Sequence, residues 1–145
     1  MLLFSHSYFI VYKEMSFRRV GAVIVLVSDM ESSISFYRDV LELPVKTISN
    51  DWTEFFSSGT VIALHPAKSN VKPSSSLLTG FMVSDMEAVA KKLKNKNVKF
   101  FKEPKEESFG KHAIIEDPDG HLISIAEIKS KPSEEFDLIG FIGVE

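Results

Sequence analysis

One pentapeptide occurs twice in this chain. Val27-Ser28-Asp29-Met30-Glu31 reads VSDME, and Val83-Ser84-Asp85-Met86-Glu87 repeats it 56 positions later. Each copy follows an apolar, β-branched run (Val20 to Leu26; Leu77 to Met82) and opens a stretch of helical spacing. Ser28 with Glu31, and Ser84 with Glu87, have capping-box spacing, in which the Ser oxygen takes a first-turn N–H while the Glu reaches back. Two strands therefore hand over to two helices through the same chemistry, as an internal duplication would leave them.

The rest of the chain follows that frame. Val20 to Val27 (VGAVIVLV) is almost wholly apolar and predicts a strand covered on both faces. A helix is expected from Asp29 to Leu41, with Met30, Ile34, Tyr37, Val40 and Leu41 on one face and Pro44 as its stop. Val45 to Ser49, Trp52 to Ser57 and Thr60 to His65 then read as a meander of antiparallel strands. Pro66 to Ser76 (PAKSNVKPSSS) has the composition of a connecting loop. The second half repeats the order: strand Leu77 to Val83, helix Asp85 to Lys96, and strand Val98 to Phe101. A charged loop from Lys102 to Ser108 follows, then strands Lys111 to Glu116 and His121 to Ile128. Asn97 suits a left-handed helix end, and the Asp117-Pro118-Asp119-Gly120 turn needs a positive φ at Gly120. Both halves read βαβββ. The tail after Lys129 holds a strand-like stretch, Phe136 to Val144, that pairs with the N-terminal segment or with another subunit.

A βαβββ unit repeated once, with V-S-D at the strand–helix junction, SFYRDVLEL in the first helix and DPDGHLISI in the last hairpin, resembles the vicinal oxygen chelate superfamily. That superfamily holds glyoxalase I, extradiol dioxygenases, and fosfomycin- and bleomycin-resistance proteins. The resemblance spans residues 18 to 129, as modules of about 18–66 and 76–129. It sets aside an extension over residues 1–17 and a tail over residues 130–145. It implies an α+β fold in which eight strands form a curled mixed sheet, a cup, with helices packed outside. Metal-dependent members place ligands on four inward strand positions, which the resemblance carries onto Ala22, Ala63, Leu78 and Ser124. Two alanines, a leucine and a serine lack the imidazole and carboxylate donors that divalent metals need. No metal and no cofactor are therefore expected.

Strand alternation assigns the remaining faces. Ile62, Leu64, Ile123, Ile125, Ala113 and Ile115 should meet the helices. Val61, Ala63, His65, His112, Ile114, Leu122, Ser124 and Ala126 should face the cup, joined by Trp52, Glu54 and Phe56. His65, two residues beyond a vacated ligand position, either contacts a ligand or merely ends its strand at the rim. His112 begins its strand, and solvation there is the simpler expectation. His121, in a turn, reads as a surface residue. Val61, Ala63, His65, Ala22, Trp52, Glu54, His112 and Ser124 are the candidate ligand contacts, and no catalytic residue is assigned.

Composition closes off other classes. A net charge of −3 argues against a nucleic-acid partner, and the absence of cysteine excludes disulfides, thiolate metal sites and a Cys nucleophile. Isolated glycines exclude a phosphate loop. The N-terminal MLLFSHSYFIVYKEM is too interrupted to cross a membrane and lacks a leader's basic start and cleavage site, so it reads as an edge strand (Tyr8 to Tyr12) or an extension ahead of Met15. A cytoplasmic homodimer is expected. The leading functional expectation is metal-free binding of a small molecule in the cup. The alternatives are a lyase, isomerase or dioxygenase-like enzyme with a displaced metal or a metal-free acid–base site using His65 and Glu54, and a structural or interaction module whose cup is filled.

Overall fold

The structure, a computed structural model, describes residues 16–74 and 76–128. The expected strand at 8–12 and the stretch at 136–144 lie outside the described residues.

Strand β1 (Ala22–Val27) leads into helix α1 (Met30–Ser35), which continues as a π-helical turn, Phe36–Val40. Strands β2 (Val45–Thr47), β3 (Thr53–Phe55) and β4 (Val61–Pro66) complete the first module. The second repeats the order with β5 (Thr79–Met82), α2 (Met86–Asn95), β6 (Phe100–Glu107), β7 (Gly110–Glu116) and β8 (Leu122–Ile128). The eight strands form two four-stranded mixed sheets, ordered β1-β4-β3-β2 and β5-β8-β7-β6. In each, the first strand runs parallel to the fourth and the other pairs are antiparallel. The curled arrangement is open, because the two sheets are not joined into a closed one. Among the described residues no helix is long and apolar enough to cross a membrane.

A single core serves both modules. Val27, Ile34, Tyr37, Phe55, Ile62 and Leu64 from the first pack in one cluster with Met86, Leu93, Ala113, Ile115, Ile123 and Ile125 from the second. The helix-facing parity read from strand alternation holds at all six positions named for it.

Four local expectations are corrected. The helix caps are Asp29 and Asp85, whose carboxylates accept the Ser32 and Ala88 N–H groups, so each helix starts one residue later than a Ser cap would place it. Ser28 is instead drawn to Asp119, whose carboxylate accepts both its N–H and its hydroxyl. The first helix widens after Ser35, with Leu41 N–H donating to Phe36 O, five residues back. That wider turn lets the adjacent Phe36 and Tyr37 both be buried. The stretch from Lys102 to Ser108, expected as a loop, belongs mostly to strand β6. It is an edge strand, where Pro104 costs no ladder bond that the sheet needs, and two irregularities absorb its mismatch with β7. Finally β1, expected to be covered on both faces, lies at a sheet edge with Ile24 54% and Leu26 50% exposed. The left-handed residues appear as expected at Asn97 (φ 62°) and Gly120 (φ 89°).

Candidate functional site: the cleft between the modules

Pairing registers fix which residues share the concave face. Ala22 lies opposite Val61, Ile24 opposite Ala63, and Leu26 opposite His65. Glu54 lies opposite Ala63 from the other side. In the second sheet Gly80 and Ile114 flank Ser124, and His112 faces Ala126. Gly80 is 56 positions after Ile24, so Ser124 stands to its sheet as Ala63 stands to the first. The duplicated ligand positions implied by the resemblance are thus in equivalent places, with Leu78 two residues before Gly80.

None of the four fits a divalent metal. Ala22, Ala63 and Leu78 offer no donor atom, and the Ser124 hydroxyl is already paired with His112 Nε2 at 2.8 Å. Among the described residues no three His, Cys, Asp or Glu side chains gather to hold an ion.

The main hollow meets the vacated ligand positions only at Leu78; Ala22, Ala63 and Ser124 do not line it. A cleft of about 1030 Å³ separates the edges of β1 and β5. It reaches the helix-facing layer, where Tyr37, Phe56, Ile62, Phe81 and Ile123 line it with apolar surface. The connector between the modules, including Lys68 and Lys72, forms another wall, and His65 and His121 contribute ring nitrogens. Phe56 and Phe81 bring one aromatic ring from each module, centroids 6.5 Å apart. Phe56 reaches this position because its backbone turns left-handed (φ 71°), which breaks the strand alternation that had placed it beside Trp52 and Glu54.

The junction beside the cleft is held by the Asp117–Gly120 turn. The buried Tyr37 hydroxyl donates to Asp117 Oδ2 at 2.8 Å, while Asp117 Oδ1 accepts the N–H groups of Asp119 and His121. Burial, reinforced by Asp117, pushes the Tyr37 phenol far above its ordinary pKa, so it stays a neutral donor. His121 Nε2–H donates to Leu26 O at 2.9 Å. His121 is therefore a bridging, cleft-lining residue rather than a plain surface one.

The eight candidate contacts do not converge. Only His65 lines the cleft; its Nδ1–H donates to Pro66 O at 2.8 Å, and Trp52 packs edge-on against its ring at 5.9 Å. Glu54 and Val61 line a smaller hollow with Arg19 and Lys46. There the Trp52 indole N–H (2.5 Å), followed by Lys46 (3.3 Å), holds the Glu54 carboxyl below its usual range. No hydrogen bond joins Glu54 to His65 among the described residues. Ala63, expected on an open surface, is fully buried, and Ala22 is half-buried outside both hollows. His112, expected to be solvated, is 0% exposed and paired with the equally buried Ser124. Tyr37, Phe81, Lys68, Lys72 and His121 are cleft residues that the sequence reading missed. The connector carried a visible signal, two lysines and several hydroxyls, but read alone it looked like a linker.

No curated protein matches the chain. Solved structures do. A glyoxalase/bleomycin resistance protein/dioxygenase from Alicyclobacillus acidocaldarius superposes with a TM-score of 0.62 at 15% identity, over 80% of this chain and 96% of that one. Its counterpart from Nocardioides gives 0.65 at 17%, over 91% and 99%. An antibiotic-binding protein from a Streptomyces species gives 0.66 at 23%, over 80% and 100%. These likenesses speak for the fold. The family model of the Glyoxalase/Bleomycin resistance protein/Dioxygenase superfamily matches residues 19–125, and the chain belongs to that superfamily.

Proposed function

We propose that this protein binds, without a divalent metal, a small molecule with an apolar and partly aromatic body in the cleft between its modules. The observation that carries the reading is the cleft itself: about 1030 Å³, with Tyr37, Phe56, Ile62, Phe81 and Ile123 as an apolar floor and a few polar groups at its walls. Pockets for drug-sized ligands have this size and this balance. The antibiotic-binding protein of Streptomyces supports the reading as a structural likeness. The metal-free half rests on donor chemistry at Ala22, Ala63, Leu78 and Ser124.

A second reading, the interaction module with a filled cup, is favoured by one observation. Ala63, His112, Ile114, Ser124 and Ala126, all on concave faces, are at most 1% exposed. One titration separates the two. Phenylnaphthylamine, an uncharged aromatic probe whose fluorescence rises in apolar surroundings, should bind saturably at one site per chain. Ile24→Trp, which adds bulk to a half-exposed cleft wall, should abolish that binding without lowering the melting temperature. Absence of saturable binding to the parent protein would leave the filled-cup reading in its place.

A further inference from the structure

We infer that the ligand of this cleft is an anion, an apolar body bearing one acidic group that Lys68 and Lys72 hold at the wall. The inference rests on the proposed binding function and narrows it to a ligand class. The chain as a whole is acidic, with 20 Asp and Glu against 17 Lys and Arg. The cleft reverses that balance, since among the described residues no Asp or Glu lines it while Lys68, Lys72, His65 and His121 do. Four acidic side chains of the two sheets and their turns are each turned to another task. Asp117 and Asp119 bind Tyr37 and Ser28, Glu54 binds Trp52, and Glu127 accepts the Met86 N–H.

The two lysines are not balanced by a neighbour. Neither enters an ion pair among the described residues, whereas Lys46, Lys92, Lys94, Lys96, Lys99, Lys102 and Lys111 all do. Ser69 and Asn70 stand between them on the same wall and add neutral donors. His65 spends Nδ1–H on Pro66 O and His121 spends Nε2 on Leu26 O, so each ring has one nitrogen left for a ligand. Cationic groups beside low-dielectric walls concentrate anions and orient their heads, while the aromatic floor takes the body. A cationic ligand would meet Lys68 and Lys72 with no carboxylate to offset them. An uncharged one would leave them without a role.

A matched pair of probes tests this on the whole chain. Anilinonaphthalenesulfonate and phenylnaphthylamine share an aromatic skeleton and differ in the sulfonate. The sulfonate should bind about five- to tenfold more tightly, the margin that two partly screened charge contacts supply. The preference should shrink towards parity at high salt, as screening requires. It should also shrink in the Lys68→Gln/Lys72→Gln variant, where the preference is read as the ratio of the two probes' affinities and the melting temperature reports on the fold. Equal affinities, or a preference that survives the double substitution, overturn the anion inference while leaving the cleft reading in force. If neither probe binds, both fall.

Discussion

His112 is the residue whose surroundings depart furthest from its sequence expectation. Expected to begin its strand in solvent, it is instead the third residue of β7, wholly buried with Phe109 edge-on at 6.1 Å and no partner for Nδ1 among the described residues. Burial, and then the charge of Lys102, hold its pKa below the ordinary 6.5, with Glu107 opposing. The sign follows from linkage. Below that ordinary value the unfolded chain binds a proton that the folded chain refuses, so stability falls as the pH drops. The melting temperature should therefore decline from about pH 7 towards pH 5.5, above the range in which the carboxylates titrate. His112→Gln should flatten that decline, and an unchanged pH profile would remove His112 from the account. The four vacated positions make a second residue-scale prediction. Zinc, nickel, manganese or iron added to the purified protein should not raise its melting temperature, because only an ion that binds the native state can stabilise it. A metal retained at one per chain after mild chelation would defeat the metal-free reading. Alternation along β4 and β3 made the shared face of Ala63, His65, Trp52 and Glu54 legible in advance. It failed at Phe56, where one positive φ redirects a ring and nothing in the residue type announces it.

At the scale of elements, the π-helical turn does what an ordinary helix could not. It buries Phe36 and Tyr37 side by side, and their rings meet edge-on at 5.3 Å. Tyr37 thereby reaches Asp117, 80 residues on. Tyr37→Phe keeps the ring's packing and removes only that donor to a carboxylate. It should cost about 2 kcal/mol, the upper range for a bond to a charged group, in denaturant unfolding. A loss near zero would mean that the turn is held by its backbone bonds alone. The caps are smaller and separable: Asp29→Ala or Asp85→Ala should each cost about 1 kcal/mol, whereas Ser84→Ala should cost almost nothing. The repeat announced two capped helices correctly but misplaced the cap by one residue, because Ser and Asp are both good caps and adjacent. Strand β6 escaped notice for a different reason. Its lysines, glutamates and Pro104 look like a loop, and an edge strand tolerates them because one side of its ladder faces no neighbour.

Across the whole molecule, the repeat foretold two modules but not how they meet. Their junction is built from Ser28 with Asp119, Leu26 with His121, Tyr37 with Asp117, and Glu42 with Lys92 and Lys96. These pairs lie 50 to 95 positions apart, and no local pattern encodes such distances. The cleft, being a product of that junction, was equally illegible. The junction leaves β1 as a sheet edge, and this carries a last prediction. Edge strands are normally blunted by lysine, proline or short length, yet Ala22–Val27 reads AVIVLV with none of these. Beside the cleft, Ile24 and Leu26 are each about half exposed, and Val20 and Met82 are exposed as well. Monomers rarely leave such an apolar set uncovered. We therefore propose a homodimer in which the exposed apolar surface around the first strand of each copy packs against the other about a two-fold axis, the commonest closed arrangement, beside the cleft and without filling it. Sedimentation at high micromolar concentration should give twice the 16.3 kDa chain mass, and Leu26→Lys, which places a charge on that face, should return it to the monomer. A parent protein that sediments only at 16.3 kDa would refute the dimer. A dimer indifferent to Leu26→Lys would move the interface away from β1.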